Sequence, residues 1–194
     1  MSTEALNSLQ GAPILVGVTG GIAAYKTCFL VSRLAQAGAQ VTVAMTPEAA
    51  KFVTPLTFQA LSGRPVYTSA WEHIESSDPQ HVSLARHCRV AIVAPCTMNC
   101  MAKLAAGLCD DVVTLIVSAI DRSKTPVLLA PAMNAAMWGQ HSTQRNLATL
   151  KSDGFRVVGP ADGWQACRTM GPGRMTEPED LFDAVVNALR TQPD

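Results

Sequence analysis

An open, doubly wound α/β fold with a mostly parallel sheet, in a single domain, is what this sequence predicts. Three observations carry the prediction. Short runs rich in Val, Ile and Leu recur along the chain with helix-length segments between them. The first run closes on a glycine pair that opens a helical pattern. The later runs are apolar throughout, as strands buried on both faces require.

Taken in order, Pro13–Val18 is an apolar run ended by Thr19-Gly20-Gly21, a strand and its turn. Residues 22–37 carry apolar side chains at helical spacing until Gly38 stops them. Gln40–Met45 alternates and is rich in valine, a second strand brought beside the first by the helix crossover. Further strands are expected over 90–94, 126–130 and 155–158. Residues 55–61 and 98–104 read as helices, 110–120 as a buried helix, 137–150 as a more amphipathic one, and 180–190 as a final amphipathic helix. Residues 72–80 and 159–178 are rich in turn formers and are expected to be mobile loops. The expected organisation is a flexible segment over 1–12, one domain over 13–190 and a tail over 191–194, with no internal repeat.

A chain of 194 residues is long enough to bury its core without disulfides or metal. Its residues are 48% hydrophobic and only 15% charged, so part of the surface is expected to be covered by other subunits of a homo-oligomer. Lys+Arg and Asp+Glu balance at 15 each, which leaves no basic field for nucleic acid and no polybasic run for a membrane surface. The expected partner is a small molecule. The first ten residues lack a secretory pattern and no apolar run reaches spanning length, so the expected location is cytoplasmic. Six cysteines there are expected to be reduced thiols instead of a disulfide framework. Neither Cys96 with Cys100 nor His87 with Cys88 has paired zinc-ligand spacing, and no metal is expected.

Ligands of open parallel sheets bind beyond the strand ends, where unpaired amides of a first helical turn favour an anion. Gly20 and Gly21 let the backbone come close to such a group. The spacing Gly17-Val18-Thr19-Gly20-Gly21 is not the G-x-G-x-x-G fingerprint, and Met45-Thr46-Pro47 lacks the acidic residue that would hold a ribose diol, so NAD is disfavoured. Thr46 offers a hydroxyl to a phosphate, while Thr97, Asn99 and the amides around 96–100 form a second polar ridge. A mononucleotide such as FMN fits better. Asn134, set among apolar neighbours in Pro131-Ala132-Met133-Asn134, suits the reading of a polar ligand group. With His81 and Cys167 it makes a candidate active site. Each also has a simpler reading: His81 as a half-exposed residue at a helix start, Asn134 as a helix cap, and Cys167 as a buried thiol.

The chain resembles the homo-oligomeric flavin-containing cysteine decarboxylases, and within them the phosphopantothenoylcysteine decarboxylases. The resemblance is carried by Gly17-Val18-Thr19-Gly20-Gly21-Ile22-Ala23-Ala24-Tyr25-Lys26, Phe52-Val53-Thr54-Pro55, His81-Val82-Ser83-Leu84-Ala85 and Ala94-Pro95-Cys96-Thr97-Met98-Asn99. It continues through Gly107-Leu108-Cys109-Asp110-Asp111, Pro131-Ala132-Met133-Asn134, Met137-Trp138, Ala166-Cys167 and Gly171-Pro172-Gly173-Arg174-Met175. It implies a Rossmann-like or flavodoxin-like subunit in a homotrimer, or in a homododecamer of trimers, with FMN at the subunit interface. The implied FMN contacts are Gly20, Gly21, Ile22, Thr46, Phe52, Thr97, Met98, Asn99, Cys100 and Ala132. The implied catalytic residues are His81 and the flap cysteine Cys167, with Asn134 on the substrate carboxylate beside Met133. Flavin prenyltransferases share the fold but lack this His and Cys arrangement.

The implied reaction is FMN-dependent decarboxylation of 4'-phosphopantothenoylcysteine to 4'-phosphopantetheine in coenzyme A biosynthesis. Loss of CO2 needs an electron sink that side chains do not provide. Transient oxidation of the cysteine moiety to a thioaldehyde provides one, and the enethiolate left after CO2 departs is then reduced again. Asn134 holds the carboxylate without a full charge, His81 acts early, and Cys167 supplies a proton late. Relatives carry Gly-Asp or similar after the flap cysteine, whereas Arg168-Thr169-Met170 follow here. Arg168 is expected to depress the Cys167 pKa or to bind the substrate phosphate. Two alternatives stand beside this reading: a peptidyl-cysteine decarboxylase of the kind used in lantibiotic maturation, and a non-catalytic flavin-binding regulatory subunit. The ligase that joins phosphopantothenate to cysteine is expected on another polypeptide.

Overall fold

The structure is a computed structural model that describes residues 8–72 and 79–191. Six parallel strands form the sheet: β1 (Pro13–Val18), β2 (Gln40–Met45), β3 (Val66–Tyr67), β4 (Val90–Cys96), β5 (Val127–Pro131) and β6 (Arg156–Val157). Their order is β3-β2-β1-β4-β5-β6. The chain therefore winds outward in one direction from β1 through β2 and in the other from β4, and the loops leaving β1 and β4 diverge to leave a crevice.

Strand side chains alternate between two cores. Ile14, Val16, Val18, Val41, Val43, Val90 and Ile92 face a cluster completed by α1 (Ala24–Gln36), α2 (Pro55–Ser62) and the C-terminal α8 (Pro178–Arg190). Leu15, Ala91, Val93 and Leu129 face the other, built on α3 (Gln80–His87), α4 (Met98–Ala106), α5 (Val112–Ser118) and α7 (His141–Ser152). Gly17 interrupts β1 because α5 passes close: a Cβ there would lie 2.8 Å from Val113 Cγ1. This is the doubly wound sheet expected from the sequence, with both faces covered.

Several local expectations need correction. Residues 159–178, read as a mobile loop, contain an antiparallel hairpin of β7 (Ala161–Trp164) and β8 (Met170–Arg174), a separate two-stranded sheet. Glycine and proline mask its pairing: β8 reads Met-Gly-Pro-Gly-Arg, which has no strand signature. Residues 137–150 form two helices, α6 (Ala135–Trp138) and α7, because the chain breaks at Gly139. The buried helix begins at Val112, with Asp111 as its cap. Within 72–80, residues 73–78 lie outside the described ones, and Gln80 opens α3. Leu9 is fully buried in the first core, ahead of the boundary drawn at Pro13.

Candidate functional site

The C-terminal ends of β1, β2, β4 and β5 open on one cavity of about 800 Å³, closed on one side by the hairpin. Its size is that of a pocket for a cofactor or a drug-sized ligand. Of the sequence-predicted residues, Gly20, Gly21, Ile22, Thr46, Thr97, Met98, Asn99, Cys100, Ala132, Met133, Asn134 and Cys167 line it together. His81, Phe52 and Arg168 do not.

Thr19, which sequence reasoning passes over, ties the floor together. Its hydroxyl donates to the Pro95 carbonyl at 2.7 Å and accepts from the Thr97 amide at 3.1 Å, joining the ends of β1 and β4. Gly20 is required by close approach, since a Cβ there would lie 2.3 Å from Glu48 Cβ in the loop after β2. The helix that follows starts without a polar cap: Ala23 at the N-cap position makes no side-chain hydrogen bond to the first turn. The first amides of this 13-residue helix turn back to the Gly21, Ile22 and Ala23 carbonyls, so what the helix start offers an anion is its dipole and the glycine turn ahead of it. Thr46 adds a buried hydroxyl, which accepts from the Ala49 amide at 3.2 Å. Thr97 caps α4 by accepting from the Cys100 amide at 3.3 Å.

The far wall has a charged corner. Lys26 donates to both oxygens of Glu177 at 2.8 and 2.9 Å, and Arg174 donates to the same carboxylate. Lys26 and then Arg174 hold the Glu177 carboxyl below its ordinary pKa. On the α5 side, Asp111 accepts from Lys103 at 2.9 Å and caps the helix through the Thr114 amide at 2.9 Å. Lys26, Arg174 and Asp111 all line the cavity. They stand inside recognisable sequence motifs, but no spacing rule assigns them a role.

Asn134 serves two of its readings at once. Its side-chain oxygen caps α6, accepting from the Ala136 amide at 2.8 Å. That bond fixes the orientation of the carboxamide, so the NH2 group points the other way, to Cys167 Sγ at 3.1 Å. The cap thereby aims a donor into the cavity.

Cys167 is exposed, not buried, at the turn of the hairpin. Its thiol lies 3.0 Å from the Thr169 hydroxyl and 3.1 Å from the Asn134 amide. Thr169 first and Asn134 second lower its pKa. The expected direction is met, but its cause is not the expected Arg168. Arg168 itself occupies the left-handed region, with φ 64°, which explains why a glycine suits this position. By contrast Cys96, beneath the cavity, is pushed well up by the adjoining Cys100 thiol and by burial.

His81 sits in the first turn of α3, half-buried, on a helix that packs against α5 away from this chain's cavity. Phe52 is half-exposed beyond the cavity rim. With Ile22, Tyr25, Phe29 and Leu56 it contributes to an exposed apolar set on the α1 and α2 side. Among the described residues no group of three or more His, Cys, Asp or Glu side chains is arranged to hold a metal ion. No helix among them is long and apolar enough to cross a membrane.

Fold and cavity together define the class: an α/β protein that takes its ligand at the switch point of a parallel sheet. The flavoprotein family model matches residues 2–190, and the chain belongs to that family. It is 44% identical over 186 residues to the coenzyme A biosynthesis bifunctional protein CoaBC of Haemophilus influenzae, covering 96% of this chain and 46% of that protein. It thus spans about half the length of the curated relatives it matches. Among solved structures it is similar to a PPC decarboxylase mutant complexed with pantothenoylaminoethenethiol, at 31% identity and TM-score 0.81, covering 91% of this chain and 97% of that one. It is similar also to the FMN binding protein AtHal3, at 30% identity and TM-score 0.82, covering 95% of this chain and 100% of that one.

Proposed function

We propose that this chain holds FMN in the cavity and decarboxylates 4'-phosphopantothenoylcysteine to 4'-phosphopantetheine, the carboxy-lyase step of coenzyme A biosynthesis. One observation carries the proposal: Asn134, its oxygen committed to the α6 cap, presents its NH2 group beside the Cys167 thiol at the cavity wall. This is the pairing of carboxylate reader and proton donor that the reaction needs. The similarity to CoaBC and to a PPC decarboxylase supports the choice of substrate.

The residues present fit the cofactor. The Gly20-Gly21 turn at the dipole-positive start of α1, with the Thr46 and Thr97 hydroxyls, would hold its phosphate, and Met98, Ala132 and Met133 would flank its ring. When bound, FMN would supply the reversible two-electron redox chemistry that side chains lack. Asn134 orients the carboxylate through a neutral donor, which avoids the ground-state stabilisation that a cation would give to the departing group. Cys167, adjoining that donor, delivers the late proton.

His81 completes the site from a second copy of the chain in a homo-oligomer, a trimer or an assembly of trimers. Two observations support this. His81 lies outside the cavity of its own chain, and Ile22 and Tyr25 line the cavity while remaining half-exposed on the apolar α1 face. Covering that face with a neighbour would bury apolar surface and wall the cavity in the same step. The compartment this reading implies is the cytoplasm.

The test is an anaerobic assay of the purified protein with 4'-phosphopantothenoylcysteine, following CO2 and the flavin spectrum, with a peptide ending in cysteine as the second substrate. Turnover of the first alone is expected. Absence of both bound flavin and turnover overturns the proposal, and preferential turnover of the peptide reassigns the substrate.

A further inference from the structure

The hairpin carries a buried polar side chain whose hydrogen bonds join the flap to the neighbouring helix: Gln165, only 7% exposed at the start of the turn. Its NH2 group donates to the Pro172 carbonyl at 2.7 Å and reaches the Gly171 carbonyl at 3.4 Å, both on the returning strand. Its oxygen accepts from the Ala135 amide at 3.1 Å, at the head of α6, and from the Cys167 thiol at 3.5 Å. One carboxamide therefore closes the turn, pins it to the helix that Asn134 caps, and touches the flap thiol. The hairpin's other anchor lies close by. The Met133 amide donates to the Gly173 carbonyl at 2.9 Å, and a Cβ on Gly173 would lie 2.3 Å from the Met133 carbonyl oxygen and 3.1 Å from Gln165 Nε2.

We infer that Gln165 is a positioning residue that holds Cys167 against Asn134 and keeps its thiol protonated until the late proton transfer; this rests on the decarboxylase reading above. The chemistry of the contacts sets the direction. The Thr169 hydroxyl and the Asn134 amide can donate to sulfur and so favour a thiolate. The orientation of the Gln165 carboxamide is fixed by its donation to Pro172 and its acceptance from Ala135, so only its oxygen faces sulfur. A carboxamide oxygen accepts from S–H and repels S⁻. Gln165 thus opposes its two neighbours and preserves the acid form. Gln165 also lines the cavity, and its proposed influence on the reaction passes through Cys167.

Two variants test this in the flavin-loaded protein. Gln165→Met keeps the volume and removes both the acceptor and the donors. Gln165→Glu keeps an acceptor and adds a negative charge beside the sulfur. The first readout is the pH dependence of Cys167 alkylation by iodoacetamide, mapped by mass to that cysteine because Cys109 is exposed too. Its midpoint should fall in Gln165→Met and rise in Gln165→Glu. The second readout is single turnover, where the ratio of reduced product to CO2 should drop about tenfold in Gln165→Met, as loss of roughly 1.4 kcal/mol of positioning implies. Retention of flavin by both variants shows that the fold persists. Midpoints that match the unsubstituted protein in both variants overturn the inference, as does a shift of the same sign in both. The alkylation arm uses no substrate, so a protein without decarboxylase activity would overturn the function while leaving the thiol assignment separately readable.

Discussion

Asn134 holds a cap with one end of its carboxamide and faces the cavity with the other, so the two roles can be separated by substitution. Asn134→Asp keeps an oxygen for the Ala136 amide, now 2.8 Å away, and turns the NH2 group into a second carboxylate oxygen. Asn134→Ala loses both. The cap contributes about 0.5–1 kcal/mol, at the low end of its usual range because α6 is only four residues long. Alanine should lower Tm by about 2–4 °C in a domain of this size, and aspartate should leave it nearly unchanged. Activity should follow a different order. Losing one donor to a charged group costs about 1.5–3 kcal/mol, roughly a 10- to 150-fold fall in kcat/KM for alanine. Aspartate adds repulsion between two carboxylates, up to about 4 kcal/mol at contact distance near a protein surface, and should be worse by a further factor of at least about tenfold. Thermal denaturation and steady-state CO2 release on the same three proteins read both orders. If alanine and aspartate rank the same way in stability and in activity, Asn134 is a cap and no more.

Three other outcomes are expected. Arg168→Gly should raise Tm by about 2–4 °C by relieving a left-handed residue worth about 1 kcal/mol, and should leave the substrate KM unchanged because Arg168 does not line the cavity; a raised KM would return it to the substrate phosphate. In a single turnover, Cys167→Ser should release CO2 and stall at the oxidised enethiol, whereas His81→Asn should block the first step; equal CO2 bursts would refute that division. Glu177 is held below its ordinary pKa by Lys26 and Arg174, so its contribution to stability is present above the unfolded-state value of about 4.3 and fades as pH falls through the lower folded value. Glu177→Gln should therefore lower Tm near neutrality, with the difference closing in acid; a pH-independent gap would show that the ion pairs do not carry it.

Much of the architecture is legible in the sequence because burial on both faces leaves a strong mark. Pro13–Val18 and Gln40–Met45 are found at their expected limits, since each is a valine-rich run flanked by glycine or proline. One edge strand is another matter. Val66–Tyr67 is two residues long and carries no periodicity at all. The hairpin is hidden because its pairing depends on backbone contacts to Met133 and Gln165, not on side-chain patterning. Among site residues, those at strand ends or helix starts could be read from position alone. Thr19 and Gln165 act through hydrogen bonds to residues far along the chain or across a turn, and only coordinates bring those partners together. Phe52 and His81 are the converse case: motif resemblance groups them with the site, while this chain's own cavity does not reach them.

The hairpin forms a sheet of its own and is tied to the main body by polar contacts: the Met133–Gly173 amide bond, the Gln165 carboxamide, Asn134 on Cys167 and Arg174 on Glu177. Its strands add nothing to either apolar layer of the six-stranded scaffold beyond Met175, just past its end. Mutations that lengthen or reshape this arm therefore leave both apolar layers of the scaffold untouched. Selection can alter which molecules the protein admits without first re-solving how it folds.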